Sequence, residues 1–304
     1  MNPRAGLAAQ RAIGAIREGR PSWPELEVVL TTGPGHARDL ATEAAAQRLD
    51  LVLAVGGDGT ANETAWGLLG SETALGLVPV GSGNGLARTL GIPLRPRPAL
   101  DALAAGVRRR MDVGMVNGRP FLNVAGAGFD AAIGAEFHAH GRRGGRRGVL
   151  TYVRLSLQRS LTYKAQHWTL DAGEHRYEGR AFIVAFVNGR QYGGGAVLAP
   201  GARLDDGLLE VVVFEDAPLH EIALAAPRLF TGRIEGFRRY HRMPAASAVL
   251  TGSVPVVHHR DGEPEAGVES RLEVSLRPRA LSVLVPRATA EDPTGPFLDR
   301  QDRS

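Results

Sequence analysis

Leu51-Val52-Leu53-Ala54-Val55-Gly56-Gly57-Asp58-Gly59-Thr60-Ala61-Asn62-Glu63 is the stretch that decides how this chain is read. Its first five residues are an unbroken apolar run, which fits a strand buried on both faces of a parallel sheet, and the run stops in glycines. Residues 62–69 have helical character, so the glycines fall where a strand's carboxyl end meets a helix's amino end. Open α/β sheets bind ligands at that edge. Glycine lets the backbone approach an anion closely, and a helix start presents N–H groups and a partial positive charge, so phosphate is the natural guest. A carboxylate would repel that phosphate unless a cation stood between them. Asp58 therefore predicts Mg²⁺ bridging carboxylate and polyphosphate, and with it a magnesium nucleotide. The plainer alternative is a Gly-rich turn with an aspartate helix cap.

Working outward, residues 7–18 carry apolar residues at helical spacing, 27–32 are expected to be a strand, and 37–48 a helix. Leu75-Gly76-Leu77-Val78-Pro79 is a second short apolar strand, and it too runs into glycines, Val80-Gly81-Ser82-Gly83-Asn84-Gly85-Leu86-Ala87-Arg88. Parallel strands joined by helical crossovers put both Gly-rich turns on one sheet edge, within reach of one nucleotide. A helix over 99–105 follows. Then the pattern changes: Asn117-Gly118 between apolar runs is the strongest short hairpin signal, 126–140 and 149–161 are expected as helices, and short strands follow at 167–170, 180–188, 208–214, 248–251, 256–260, 271–276 and 281–285. A helix at 220–230 interrupts them. The expected architecture is α/β: an N-terminal Rossmann-like parallel-sheet domain over 1–115, a β-sandwich domain over 116–287, and a mobile tail over 288–304.

The chain has 304 residues, enough for two cores, and no cysteine, which excludes disulfides, thiolate metal sites and a cysteine nucleophile. No apolar run reaches transmembrane length and no secretory leader is evident, so a soluble, cytoplasmic protein is expected. The net charge of +4 suits an anionic partner, nucleic acid or acidic lipid, without choosing between them. Lys164 is the only lysine among many arginines, which argues against a P-loop phosphate-binding lysine. The basic loop containing Arg142, Arg143, Arg146 and Arg147 is either a solvated loop or a contact for anionic membrane.

Taken in order, Gly56 to Thr60, Val80 to Arg88, Phe121-Leu122-Asn123-Val124-Ala125-Gly126-Ala127-Gly128-Phe129-Asp130, Leu204-Asp205-Asp206-Gly207-Leu208-Leu209 and Asp261-Gly262-Glu263 resemble the bacterial lipid kinases with a diacylglycerol kinase catalytic domain, a group that includes sphingosine kinase relatives. The resemblance spans nearly the whole chain. It implies an α/β nucleotide domain, a β-sandwich domain on the lipid side, and transfer of the ATP γ-phosphate to a lipid hydroxyl at a membrane surface, with no nucleic-acid partner. Carried over position by position, it assigns nucleotide contacts to Thr31, with Thr32 as the neighbouring alternative, to Gly57, Asp58, Gly59, Thr60, Ala61, Asn62 and Glu63, and to Ser82. It assigns a structural Mg²⁺ to Asp206 with carbonyls of Arg203 and Leu208, and the catalytic base to Asp261, facing Asp58 across an interdomain cleft. A hairpin turn at Asp205-Asp206-Gly207 and a plain turn at Asp261-Gly262 are the alternatives without the family. His258 and His259 receive no role, since alternation would put them on opposite faces.

Two departures accompany the resemblance. Relatives have an apolar strand before the Asn2-Pro3 turn, where this chain has Met1, so either the start lies further upstream, which is the reading favoured, or the sheet lacks an inner strand. Gly85 stands where many relatives carry aspartate. Diacylglycerol, giving phosphatidic acid, is the first acceptor implied; a sphingoid base, ceramide and monoacylglycerol are alternatives. An NAD kinase shares the Gly-Gly-Asp-Gly-Thr turn but would carry an Asn-Glu pair where Asn123-Val124 stands. A non-catalytic nucleotide-binding protein would have no need of both Asp58 and Asp261.

Overall fold

The computed structural model describes residues 12–16, 23, 26–142, 159, 162–193, 195–265, 267 and 269–298. Its contacts gather into two units. One comprises Met1–Val113, Arg203–Asp206 and Arg277–Ser304; the other comprises Gly114–Ala202 and Gly207–Leu276. The chain therefore returns to its first unit twice.

In the first unit a helix over 12–16 (α1) precedes α2 (His36–Ala46), β1 (Leu51–Gly56), α3 (Asp58–Leu68), β2 (Ala74–Pro79), α4 (Gly85–Thr89), α5 (Pro96–Ala104) and β3 (Val107–Val116). β1 and β2 run parallel in register, Leu51 beside Ala74 through Gly56 beside Pro79, so both strands end at the same sheet edge. β2 is buried along its whole length, as a doubly covered parallel strand must be. Residues 27–32 do not form the expected strand, and Val28, Val29 and Leu30 are exposed. Apolar β-branched residues favour a strand where a neighbouring strand joins them in a ladder, and among the described residues no strand pairs with these six.

The second unit opens with the predicted hairpin. Asn117 and Gly118 both have positive φ (45° and 76°), the two-residue turn that matches strand twist, between β3 and β4 (Arg119–Phe121). β5 (Val124–Gly128) continues as a strand through residues expected to be helical, and α6 (Phe129–Arg142) begins only afterwards. The small residues Ala125, Gly126 and Ala127 suit a strand squeezed between β7 (His175–Val187) and a later neighbour. Arg143, Arg146, Arg147 and nearly all of the expected 149–161 helix lie outside the described residues. β6 (Gln166–Ala172) pairs with the first half of β7, whereas β5 and β10 (Leu209–Glu215) pair with its second half; β8 (Gln191–Gly193) and β9 (Ala196–Val197) form a separate ribbon.

That division of β7 makes a sandwich-like core from one ladder. Val184, Phe186, Val211 and Val213 point into a cluster with Trp168, Leu170, Leu250 and Leu272, while the alternate residues Ala185, Val187 and Val212 enter a second cluster with Leu198 and Tyr240. α7 (Leu219–Thr231) covers this second face. β11 (Tyr240–Ala245) went unpredicted; it carries Pro244 and pairs only with β10, the edge position that a proline allows. β12 (Ser247–Gly252) pairs with β6, β13 (His258–Arg260) and β14 (Glu263–Glu265) make a hairpin beside β5, and the expected strands at 271–276 and 281–285 are one, β15 (Arg271–Val285).

Residues 288–298 of the tail expected to be mobile are anchored in the first unit. α8 (Arg287–Glu291) follows β15, Phe297 is only 2 % exposed, and the Arg203 guanidinium donates to the carbonyls of Pro293, Gly295 and Phe297. The Leu298 amide donates to Asp205 Oδ1 at 2.8 Å. One aromatic side chain and a five-donor guanidinium hold what polar composition alone would have left loose.

Candidate active site

The decisive stretch folds so that β1 ends at Gly56 and α3 starts one residue later, with Gly57 as its cap. The first intrahelical bond of α3 runs from the Ala61 amide to the Gly57 carbonyl, so the amides of Gly59 and Thr60 precede the helical ladder at the positive end of its dipole. The second Gly-rich loop lies directly against the first. A Cβ at Gly81 would stand 2.6 Å from the Gly57 Cα, so this contact requires backbone on backbone. The Val80 amide donates to the Gly56 carbonyl at 2.9 Å.

Asp58 fastens the pair. Its Oδ2 accepts the Asn84 amide and its Oδ1 the Gly85 amide, each at 2.8 Å. Asn84 adopts a left-handed conformation (φ 53°), and its side-chain amide donates to the Gly81 carbonyl at 2.7 Å; Arg88 Nε donates to the Gly83 carbonyl at 3.2 Å. Two turns that the sequence only placed on one edge are thus a single built unit. Sequence reasoning gave Asp58 to a cation and missed this clasp. A carboxylate oxygen is the ligand type that a hard cation takes, so the donor chemistry at this residue fits Mg²⁺.

A third loop joins them. Glu63, one turn into α3, accepts the Gly35 amide at 2.9 Å and so fixes the start of α2 to α3. Thr31 is half-buried before that loop, Thr32 is exposed with its amide donating to His36 Nδ1, and Ser82 is exposed at the tip of the second loop. Asp206 is exposed in a bend whose neighbour Asp205 receives the tail. Among the described residues no group of three or more His, Asp or Glu side chains gathers to hold a metal.

In the second unit Asp261 and Gly262 are the two-residue turn between β13 and β14, both with positive φ (48° and 84°). A turn is therefore present, and the aspartate does more than turn. Its Oδ2 accepts the Leu122 amide at 2.8 Å, and its Oδ1 accepts those of Asn123 and Val124 at 2.8 and 3.0 Å. Three backbone donors fix this carboxylate in place and satisfy the unpaired amides leading into β5.

Beneath it lies a polar cluster that the sequence reading left unassigned. His259 and Asp130 are 1 % and 4 % exposed; His259 Nε2 lies 3.1 Å from Asp130 Oδ2 and 3.0 Å from the Tyr192 hydroxyl. The Gly262 amide donates to His259 Nδ1 at 3.4 Å, so the ring proton belongs on Nε2, directed at Asp130. A Cβ at Gly126 would run into both side chains, which explains a glycine within β5. The available signal was the spacing of His259 two residues before Asp261 on one short strand. His258 is buried too, beside Glu265, so strict alternation of the two histidines between core and solvent does not hold. Glu265 closes the hairpin. Bonds from His258, and then from Arg260, hold its carboxyl down at about 2 despite the opposing effect of burial.

Comparison with known proteins agrees with this geometry. Residues 1–116 match the diacylglycerol kinase catalytic domain and residues 123–285 the YegS C-terminal NAD kinase beta sandwich-like domain. A "Probable lipid kinase YegS-like" of Pseudomonas aeruginosa strain UCBPP-PA14 is 36 % identical over 286 residues, covering 93 % of this chain and 89 % of the relative. One of Citrobacter koseri is 32 % identical, covering 90 % of each. A crystal structure of a diacylglycerol kinase from Bacillus anthracis str. Sterne has the same fold, with a TM-score of 0.69, 20 % identity and 92 % of both chains covered. The clasped glycine loops, the order of the motifs and these likenesses together place the chain in the YegS-like lipid kinase family, as an ATP-dependent kinase.

Proposed function

We propose that this chain transfers the γ-phosphate of ATP to the hydroxyl of a lipid at a membrane surface, with diacylglycerol as acceptor and phosphatidic acid as product. The observation that carries the reading is the Asp58 clasp, which joins two glycine loops into one unit at the start of α3, where backbone amides favour an anion. The curated relatives named as lipid kinases support the acceptor class.

In this reading Gly57, Gly59 and Thr60 present backbone amides to the polyphosphate, Ala61, Asn62 and Ser82 border it, and Glu63 acts indirectly by holding the Gly35 loop beside Thr31. Mg²⁺, when bound, would offset the charge on the transferring phosphoryl oxygens, with Asp58 as its carboxylate ligand. Asp206 with the Arg203 carbonyl is the candidate for a structural Mg²⁺, a role that suits an exposed carboxylate beside backbone oxygens. Asp261 takes the proton of the lipid hydroxyl as that oxygen bonds to the γ-phosphorus and the bond to the β-phosphate oxygen breaks, releasing ADP. Its three amide donors leave it an aimed acceptor, not a swinging one.

The test is γ-labelled ATP with purified protein and a panel of diacylglycerol, monoacylglycerol, ceramide and a sphingoid base in mixed micelles, with NAD as a soluble control. Label in phosphatidic acid is the expected result. Label in another lipid corrects the acceptor, and label in NAD or in nothing overturns the proposal.

A further inference from the structure

The helix α7 presents apolar residues on both sides. Ile222, Ala225 and Leu229, at helical spacing, pack inward against clusters of the second unit. On the outward side Leu224 is 73 % and Phe230 55 % exposed, with Ala223, Ala226 and Pro227 exposed beside them. A helix whose outer face meets only water carries charges there, so five exposed apolar residues over 223–230, between exposed His220 and Thr231, mark a surface that is covered in use.

Charge narrows what covers it. Arg228 and Arg233 are exposed at the border of the stripe, and Arg228 spends only one nitrogen on the Gly236 carbonyl. The acidic side chains of the segment are already engaged, Glu221 by Arg238 and Arg239, and Glu235 by Arg242. The outward face is therefore apolar in the middle and cationic at its edge. Five residues, two of them large, fall short of the roughly 800 Å² that a stable protein interface takes from each partner. They do suit shallow insertion, in which apolar side chains reach the acyl boundary and guanidinium groups meet lipid phosphates.

We propose that the outward face of α7 docks on a bilayer containing anionic lipid, with Leu224 and Phe230 inserted and Arg228 and Arg233 at the headgroups. This rests on the reading of the chain as a lipid kinase and names the surface that brings it to its substrate.

The experiment is sedimentation with phosphatidylcholine vesicles, with and without phosphatidylglycerol, in the absence of ATP, comparing the full chain with L224S/F230S and R228S/R233S. Circular dichroism and thermal melting check that each variant is folded. Binding to the anionic vesicles is expected, weakened about tenfold or more by L224S/F230S, and weakened by R228S/R233S in a manner that salt reproduces in the wild type. Phosphorylation in detergent micelles should change little in either variant. Absent wild-type binding, equal binding by folded L224S/F230S, or a concentration-dependent dimer that this variant abolishes while vesicle binding persists would overturn the proposal. Vesicle binding that depends on α7 with no phosphate transfer to any lipid would leave the docking surface standing and remove the kinase reading instead.

Discussion

Asp58 and Asn84 stand twenty-six residues apart and meet through a 2.8 Å bond from the Asn84 amide to Asp58 Oδ2. Asp58→Ala should therefore do two things. Loss of two amide bonds to a charged acceptor should cost about 2–4 kcal/mol of stability, read as a lowered urea midpoint. Phosphate transfer should also fall below detection, since the carboxylate proposed to hold the cation and the shape of the second loop are both lost. A variant with wild-type activity would sink the clasped loops as the nucleotide site.

Asp261→Asn is a less conservative change than its shape implies. An amide keeps one acceptor oxygen where the carboxylate offers two to three N–H groups, so at least one amide among Leu122, Asn123 and Val124 loses its partner. About 1–3 kcal/mol of stability should go with it. The rate should fall by roughly 10² to 10⁴, the usual worth of a general base. Calorimetric titration with a non-hydrolysable ATP analogue should show little change, because no nucleotide contact is assigned to this residue. A parallel loss of nucleotide affinity would mean that Asp261 belongs to the nucleotide site.

Acid should loosen the hairpin that carries Asp261. Glu265 is held near 2 in the folded chain against an ordinary value of 4.5, so its contribution is complete above about 4.5 and is lost as pH falls toward 2. The melting temperature should drop across that window. Glu265→Gln should start lower at neutral pH and show a shallower drop, and identical pH profiles for the two proteins would discount the clasp with His258 and Arg260.

Phe297→Ala removes a ring that is 2 % exposed and should cost about 3–5 kcal/mol, measurable by urea denaturation. Arg203→Ala should weaken the same segment by freeing three carbonyls. Unchanged stability in both would restore the view of 288–304 as a loose tail.

What could be read beforehand follows from the range of the interactions. β1, β2 and the Asn117-Gly118 hairpin announce themselves through contiguous apolar runs or a turn dipeptide, and the two glycine loops through their place after successive strands. The anchoring of Phe297 by Arg203, the run of β5 through Gly126 and the joining of His259 to Asp130 depend on residues distant in sequence, and no local pattern encodes them. Residues 27–32 show the opposite error: a good strand pattern with no strand among the described residues to pair with. For the site, the motif order pointed to Asp58 and Asp261, whereas their amide partners, being backbone groups, have no side-chain signature to find.

The two carboxylates also differ in how far they must reach along the chain. Asp58 bonds to partners 26 and 27 residues away, closing a stretch that holds α3 and β2, while Asp261 waits for donors 137 to 139 residues earlier. Short closures form early and long ones late. During synthesis the two clasped glycine loops have all their parts once α4 is made, long before the last quarter of the chain exists, so the leader of β5 must spend that interval with its amides turned to water. Pulse-labelled hydrogen exchange during refolding should show protection at Asn84 and Gly85 before Leu122, Asn123 and Val124. Asp261 thus arrives late, into a strand entrance that has been waiting for its acceptor.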